Sequence, residues 1–234
     1  MFNVKQRSYQ KELLDNDDIP FEDIKQNMKE LNIINTWLGG HGITIKGLRK
    51  VLSKQQLNSI SICEIGCGGG DNLIALNNWC KKNNIATGFT GIDIKKECID
   101  FAKQQAASLN ANWICSDYRD VSFTNNKPDI IFASLFCHHF TDESLHQILK
   151  WMKENSRVGF FVNDLHRHVL AYHSIKFLTF MLSKSYLVKN DAPLSVAKGF
   201  KKQEWQRLLH EAGIINSEVS WQWAFRHLVV YRYD

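Results

Sequence analysis

The sequence predicts an α/β protein with an open, doubly wound sheet that is mostly parallel and carries helices on both faces. Short apolar segments alternate with helical segments across residues 59–164, which is the pattern of consecutive β-α-β units. A glycine-rich turn joins the first of these strands to its helix. Residues 214–221 and 224–231 have the pattern of two strands joined by a very short turn, which predicts an antiparallel hairpin.

Each predicted strand is short and apolar, and a turn or a helix follows it. The predicted strands are residues 59–65, 89–94, 112–115, 129–134 and 157–163. The predicted helices are residues 71–82, about 96–109, a helix that starts at Thr141, and 201–212. Thr141 precedes Asp-Glu-Ser, which is typical of a helix N-cap, and Gly213 is a typical helix stop.

Residues 1–58 are predicted to form an N-terminal helical cap. Apolar side chains recur at helical spacing after Pro20, and the pair Gly39-Gly40 ends that segment. Residues 43–57 predict a second helix. Residues 59–234 are then expected to form one α/β domain.

The composition is that of a globular protein: 234 residues and 27.1 kDa, with 44% hydrophobic and 23% charged residues. Disordered and collagen-like chains are excluded, and no apolar run reaches the roughly 18 residues of a membrane span. The polar N-terminal residues do not resemble a signal peptide. None of the six cysteines forms a C-x-x-C pair, so we expect buried, reduced thiols and a cytoplasmic protein.

The net charge of +5 is small, so a stable nucleic-acid partner is not expected. Residues 61–164 carry −2, whereas residues 165–234 carry +5. The surplus includes a lysine-rich region, residues 176–202, with Lys176, Lys184, Lys189, Lys198, Lys201 and Lys202. We expect this region to be either a solvated face or a contact with an anionic carrier protein or membrane surface.

The turn after the first strand has the sequence Glu64-Ile65-Gly66-Cys67-Gly68-Gly69-Gly70. Glycines let the backbone turn sharply and approach a ligand, at the edge where open α/β sheets bind ligands. Asp71 breaks the dinucleotide pattern Gly-x-Gly-x-x-Gly, and no Gly-Lys-Ser/Thr follows, which excludes a phosphate-binding loop. The turn therefore favours a nucleoside ligand without phosphate.

Acidic residues follow the next two strands. Asp93 ends the second strand, where a carboxylate can accept both hydroxyls of a ribose. Asp117 follows the third strand, where it could accept an adenine amino group, with Tyr118 beside it. Together with Glu64, these carboxylates favour a cationic ligand.

These motifs resemble those of class I S-adenosylmethionine-dependent methyltransferases, over about residues 58–232. The matching segments are residues 64–70, 91–93, 116–118 and 129–134. The resemblance implies a Rossmann-like, seven-stranded sheet of order 3-2-1-4-5-7-6 with the last strand antiparallel. It also implies the cofactor S-adenosyl-L-methionine and its product S-adenosyl-L-homocysteine.

The same resemblance supplies a set of cofactor-binding residues. It places Gly66 and Gly68 near the methionine part of the cofactor, and Ser134 and Leu135 on the side of the methyl group. It gives Asp93 the ribose, and Asp117 and Tyr118 the adenine. The full predicted set is Glu64, Gly66, Cys67, Gly68, Asp93, Ile94, Asp117, Tyr118, Ser134 and Leu135.

Two histidine clusters are candidates for a catalytic base, since histidine titrates near neutral pH. His138 and His139 follow the fourth strand. His166 and His168 follow the fifth strand and point the same way in an extended chain, with Asp164 able to orient one imidazole. The catalytic candidates are His166, His138 and His168. No metal is expected, because the H-E-x-x-H pattern is absent from the sequence.

Residues 165–196 form an insertion after the fifth strand that is too apolar for a plain loop. Part of it is expected in the core. The rest is expected to act as a lid over an apolar, aromatic substrate pocket. The lid and the N-terminal helices would together exclude water from the cofactor.

A narrower resemblance is to bacterial small-molecule methyltransferases of polyketide and aryl-polyene pigment pathways. It is carried by residues 12–15, 34–41, 163–168 and 190–195. It implies O-methylation of a phenol or similar hydroxyl on a small apolar or aromatic acceptor, with a histidine assisting deprotonation. A quinone-type C-methyltransferase, a nucleic-acid methyltransferase and a non-catalytic cofactor-binding module are the alternatives. The sequence leaves the acceptor, the methylated atom, the acting histidine and the oligomeric state open.

Overall fold

The predicted sheet has seven strands in the computed structural model, which describes residues 3–16, 18–54, 58–123 and 126–233. The strands are β1 (Ser59–Ile65), β2 (Ala86–Asp93), β3 (Ala111–Cys115), β4 (Ile130–Ser134), β5 (Gly159–Leu165), β6 (Ser217–Gln222) and β7 (Arg226–Arg232). Their order is β3-β2-β1-β4-β5-β7-β6. The first five pair in parallel, and β7 runs antiparallel to both β5 and β6. The predicted Rossmann-like fold and strand order are therefore confirmed.

The described part of the chain has eight α-helices. They are α1 (Phe21–Trp37), α2 (Gly40–Val51), α3 (Asp71–Lys82), α4 (Lys96–Gln105), α5 (Asp142–Asn155), α6 (Val169–Leu182), α7 (Tyr186–Lys198) and α8 (Lys202–Glu211). The side chain of Thr141 caps α5 by accepting the Ser144 N–H at 3.3 Å. The N-cap predicted from the sequence is thus present.

β1 and α3 have the predicted bounds, whereas several other ends differ. α2 begins at Gly40 rather than residue 43, because Gly39 adopts a left-handed conformation (φ 74°) that lets a new helix start at once. α2 ends at Val51 and a 3-10 turn follows. Residues 55–57 of the predicted helix lie outside the described residues. α4 stops at Gln105, before the predicted end, and β2 starts earlier, at Ala86.

Two hydrophobic cores cover the two faces of the sheet. Side chains alternate in direction along each strand, so the central strands contribute to both cores. Ile131 and Phe160 belong to the core under α5 and α8. Phe132 and Phe161 stack at 4.8 Å between ring centroids in the core under α2 and α3. Five of the six cysteines are buried and Cys115 is exposed, all as free thiols.

The apolar insertion forms α6 and α7, which pack against each other. α7 is largely buried and also packs on α1. α6 buries Ala171 and Thr179. Its exposed large apolar side chains are Val169, Leu170, Phe177, Leu178, Phe180, Met181 and Leu182. The two helices of the insertion therefore differ sharply in exposure.

In the described ranges, no helix combines the length and the apolar character needed to cross a membrane.

Gly47 lies within α2, where a Cβ would come 2.4 Å from the Phe161 ring of β5. We expect Gly47→Ala to lower the free energy of unfolding by about 1–3 kcal/mol, because the added methyl group overpacks this buried contact. Urea unfolding followed by circular dichroism measures the change.

Gly42→Ala in the same helix is the matched control, since a Cβ there meets no atom within 4 Å. It should raise the free energy of unfolding by roughly 0.4–1 kcal/mol through the entropy of the unfolded chain. Equal unfolding midpoints for the two variants would contradict the packing of α2 on β5.

Candidate functional site

A cavity of about 770 Å³ lies at the carboxyl ends of the parallel strands. Its floor comes from the turns after β1, β2, β3 and β4, and its walls include apolar side chains of α1 and α6. The large apolar wall residues of these two helices are Met28, Leu31, Ile34, Ile175 and Leu178. Open α/β sheets bind ligands at this edge, so the cavity is the candidate site.

The glycine turn leaves bare backbone on the cavity floor. Gly66, Gly68 and Gly70 have left-handed φ angles of 66°, 49° and 76°, which glycine adopts without strain. Gly66 and Gly68 line the cavity. A Cβ at Gly66 would lie 2.1 Å from the Phe136 ring, so this position also requires a close approach.

Asp93 holds the end of β2 against the glycine turn. Its Oδ2 accepts the Gly68 N–H at 2.9 Å, and its Oδ1 accepts the Lys95 N–H at 2.9 Å. Burial raises the pKa of the Asp93 carboxyl and outweighs the opposing hydrogen bonds. Asp93 and the exposed Ile94 both line the cavity. A carboxylate has about four lone-pair sites, so Asp93 keeps capacity for a ligand.

The turn after β3 brings Asp117 and Tyr118 to the cavity. Arg119 donates to Asp117 from its backbone and from its guanidinium, with Nη2 2.6 Å from Oδ2. The hydrogen bond from the Arg119 side chain lowers the pKa of the Asp117 carboxyl. Tyr118 is buried, with its ring edge-on to Trp151 at 5.3 Å between centroids. The turn thus offers an anionic carboxylate beside a fixed aromatic wall.

Glu64, Cys67 and Ser134 are buried, and they are not among the described residues that line the cavity. Glu64 accepts the Asn72 side-chain N–H at 2.9 Å, and burial raises the pKa of its carboxyl well above the usual range. The Ser134 hydroxyl accepts a hydrogen bond from Asn163 at 3.3 Å. The structure places these three residues beneath the turns rather than on the cavity surface.

The turn after β4 carries Leu135 and His138, and both line the cavity. His138 is buried, with Nδ1 2.7 Å from Asp164 Oδ1, and its backbone N–H donates to Asp164 Oδ2 at 3.2 Å. Burial acts to raise the pKa of Asp164, but the charge and hydrogen bond of His138 outweigh it and lower that pKa. The contact of Nδ1 with Asp164 holds the His138 ring in one orientation.

The N-terminal segment, residues 12–15, adds charged groups that were not predicted as part of the site. Glu12 is buried, and its Oε1 lies 3.2 Å from Lys198 Nζ and 3.8 Å from His138 Nε2. His139 Nδ1 lies 3.6 Å from Asp15 Oδ1. Burial acts to lower the pKa of His139, but Asp15 and Glu12 outweigh it and raise that pKa. The segment 12–15 of the narrower resemblance was the available sequence signal.

His166 and His168 are not among the described residues that line the cavity, although the His168 ring stacks on Phe225, which does line it, at 5.0 Å between centroids. His168 Nδ1 accepts the Leu170 N–H at 3.1 Å and so caps α6. His166 packs on His227, with ring centroids 4.7 Å apart, and burial lowers its pKa. Asp164 was expected to orient His166 or His168. In the structure it pairs with His138 instead.

Glu12, His138 and His139 could together contact a metal ion, because their ligand atoms lie within 4.8 Å of one another. The ammonium group of Lys198 already lies on Glu12. The cluster therefore has its own cation, and a metal ion would have to compete with it at the same carboxylate.

Residues 62–159 match the family model described as a methyltransferase domain. The fold is similar to that of the plantazolicin methyltransferase BpumL, solved with S-adenosylhomocysteine (SAH). The two sequences are 19% identical, the match covers 93% of this chain and 92% of that chain, and the TM-score is 0.65. A putative O-methyltransferase from Nostoc punctiforme is 16% identical, over 84% of this chain and 57% of that chain, with a TM-score of 0.57.

A third similar structure is the magnesium protoporphyrin IX methyltransferase ChlM from Synechocystis, solved with SAH. It is 14% identical, over 94% of this chain and 90% of that chain, with a TM-score of 0.51. No curated protein matches the chain significantly.

Proposed function

We propose that this chain, a class I S-adenosylmethionine-dependent methyltransferase by its fold and its methyltransferase domain, methylates a hydroxyl of a small, largely apolar acceptor. One observation carries the proposal. One cavity is lined both by the glycine turn with Asp93 and Asp117 and by His138. The ring of His138 is held by Asp164. Methyl transfer needs a bound donor and an acceptor in line, plus a base when the acceptor is a hydroxyl.

The residues of the floor fit S-adenosylmethionine. Asp93 would accept the ribose hydroxyls, and Asp117 with Tyr118 would hold the adenine. Gly66 and Gly68 lack the side chains that would fill the space next to the turn. When bound, the cofactor supplies an electrophilic methyl group on a positively charged sulfur. Ile94 and Leu135 would contact the cofactor directly, whereas Glu64, Cys67 and Ser134 would act by supporting the turns.

His138 is the proposed base. Asp164 holds its ring in one orientation, so Nε2 is available to take the acceptor proton. The nearby Glu12 carboxylate would stabilise the imidazolium that forms, because its Oε1 lies 3.8 Å from Nε2. His166 and His168, the other two candidates, are not among the described residues that line the cavity and are not assigned a catalytic role.

The walls support a small apolar or aromatic acceptor. α1 and α6 contribute Met28, Leu31, Ile34 and Leu178, and Phe140 lies at the same end as the histidines. We assign the N-terminal residues 1–58 the role of a cap, and residues 165–196 that of a lid, on the methyltransferase domain. Apolar walls and a cap exclude water, which strengthens the electrostatic interactions of the base.

We further propose that α6 rests on an anionic membrane surface that delivers the acceptor. Its exposed face carries Leu170, Phe177 and Phe180, and the neighbouring Lys176 and Lys184 are also exposed. Residues 169–190 include no acidic residue, which favours anionic lipid; Glu30 and Asp23 of α1 contact the far end of this segment, at Lys184 and Tyr186. The predicted lysine-rich region needs one correction: Lys198 is buried against Glu12 and does not belong to the surface, because Glu12 needs a cation when buried.

Asp93→Ala should weaken binding of S-adenosylhomocysteine by roughly tenfold or more, because hydrogen bonds to a carboxylate are lost. Isothermal titration calorimetry measures the affinity. Asp100→Ala is the control, since Asp100 lies on α4 in an ion pair with Lys96 and does not line the described cavity. Unchanged affinity in Asp93→Ala, or an equal loss in the control, would contradict the proposed cofactor site.

His138→Gln and Asp164→Asn should each lower kcat by about 10²–10⁴-fold, while binding of S-adenosylhomocysteine is retained. The measurement is S-adenosylhomocysteine release with a panel of phenols as acceptors. His210→Gln, an exposed position on α8, is the control. Loss of turnover confined to His166→Gln, or full turnover in His138→Gln, would remove His138 from the role of base.

The wild-type protein should float with vesicles of phosphatidylcholine and phosphatidylglycerol at low salt, and not with phosphatidylcholine alone. The double variant F177S/F180S should lose this binding, because the inserted apolar area is lost. Ile215→Ser, an exposed apolar position outside α6, is the control. No flotation of the wild type, or equal flotation of the double variant, would contradict docking through α6.

A further inference from the structure

Arg226 is a buried cation whose Nε and Nη1 atoms have no hydrogen-bond partner among the described residues. It begins β7 opposite Leu165 of β5, it is 3% exposed, and it lines the cavity. Its Nε and Nη1 atoms are buried and meet no acceptor, and it forms no ion pair with any described carboxylate. A guanidinium has five N–H donors, so most of this donor capacity is unused inside the protein.

The nearby acidic groups are already committed elsewhere. Asp71 and Asp164 act on Arg226 through their charge, at distances too long for an ion pair. Asp164 is bonded to His138, and Asp71 Oδ2 lies 2.7 Å from His41 Nε2. Burial lowers the pKa of Arg226 to about 10, so the group stays positively charged at neutral pH. A buried charge of this kind is unfavourable unless a ligand pairs with it.

The site around the guanidinium is built by close packing. A Cβ at Gly40 would lie 3.0 Å from Arg226 Nη1 and 1.7 Å from Asn35 Oδ1. Gly40 therefore lets the end of α1, the start of α2 and the start of β7 converge. Asn35 is buried, lines the cavity, and has an Oδ1 with no hydrogen-bond partner. The Asn35 side-chain NH2 group donates to Asp71 Oδ2 at 3.4 Å, so this amide is already used within the protein.

We propose that Arg226 binds a carboxylate group of a ligand in the cavity. This inference rests on the proposed function, since it assigns part of the same site. A carboxylate matches the planar guanidinium in a bidentate pair.

Two ligands could supply this carboxylate: the amino-acid end of the cofactor, or the acceptor. The first arm of the test titrates S-adenosylhomocysteine and 5′-methylthioadenosine, which lacks the amino-acid end, into wild type and Arg226→Gln. If the cofactor supplies the carboxylate, Arg226→Gln loses about 10–100-fold in affinity for S-adenosylhomocysteine and nothing for 5′-methylthioadenosine.

The second arm titrates 4-hydroxycinnamate and its methyl ester into protein saturated with S-adenosylhomocysteine. If the acceptor supplies the carboxylate, wild type binds the acid about 10–100-fold more tightly than the ester, and Arg226→Gln loses that preference. Arg232→Gln, at the other end of β7, is the matched control for both arms, since Arg232 bonds to Lys50 O outside the cavity.

Arg226→Lys provides a second variant that keeps the charge but not the bidentate pair, and it should lose part of the same affinity. The proposal is overturned if Arg226→Gln changes neither the affinity for S-adenosylhomocysteine nor the preference for the acid over the ester. It is also overturned if wild type has no preference for the acid and Arg226→Gln binds S-adenosylhomocysteine as tightly as wild type. Failure of wild type to bind either nucleoside would instead overturn the proposed function, and this inference with it.

Discussion

A carboxylate buried at the end of β5 sets the arrangement of the site. Asp164 is fully buried, and an ionised group there needs hydrogen-bond donors around it. His138 supplies its ring and its backbone N–H, and the Leu165 N–H donates at 2.7 Å. This requirement holds the turn after β4 against β5. The same turn then brings His139 beside Asp15 of the N-terminal segment.

Much of the fold could be predicted because its determinants are local. The apolar strand, the glycine turn and the helix that follow one another over residues 59–82 need no distant information. The cluster of Glu12, His138 and Lys198 could not be found in this way, because its members are far apart in the chain. A charge count placed Lys198 on the surface, since spacing gives no information about a distant carboxylate. The predicted strand directions likewise gave no information about which turn packs against Asp164.

The N-terminal segment and α7 are bonded to each other and together line one end of the cavity. Asp191 of α7 accepts the backbone N–H groups of Leu13 and Leu14, each at 2.9 Å. The Ser195 hydroxyl donates to Glu12 at 2.9 Å. These bonds are partly buried, so separating the two parts would leave polar groups unsatisfied. These contacts therefore hold the segment and α7 together as one part of the cavity wall.

The strand order also decides when the cavity comes into existence during synthesis of the chain. β7 lies between β5 and β6, although it follows both of them in the sequence. β6 consequently has no partner in the sheet until β7 has been made, and the β5 edge stays open until then. The cavity also needs residues from the turn before β7 and from α1. A nascent chain therefore lacks the side of the cavity formed by residues 223–226 until β7 has been made.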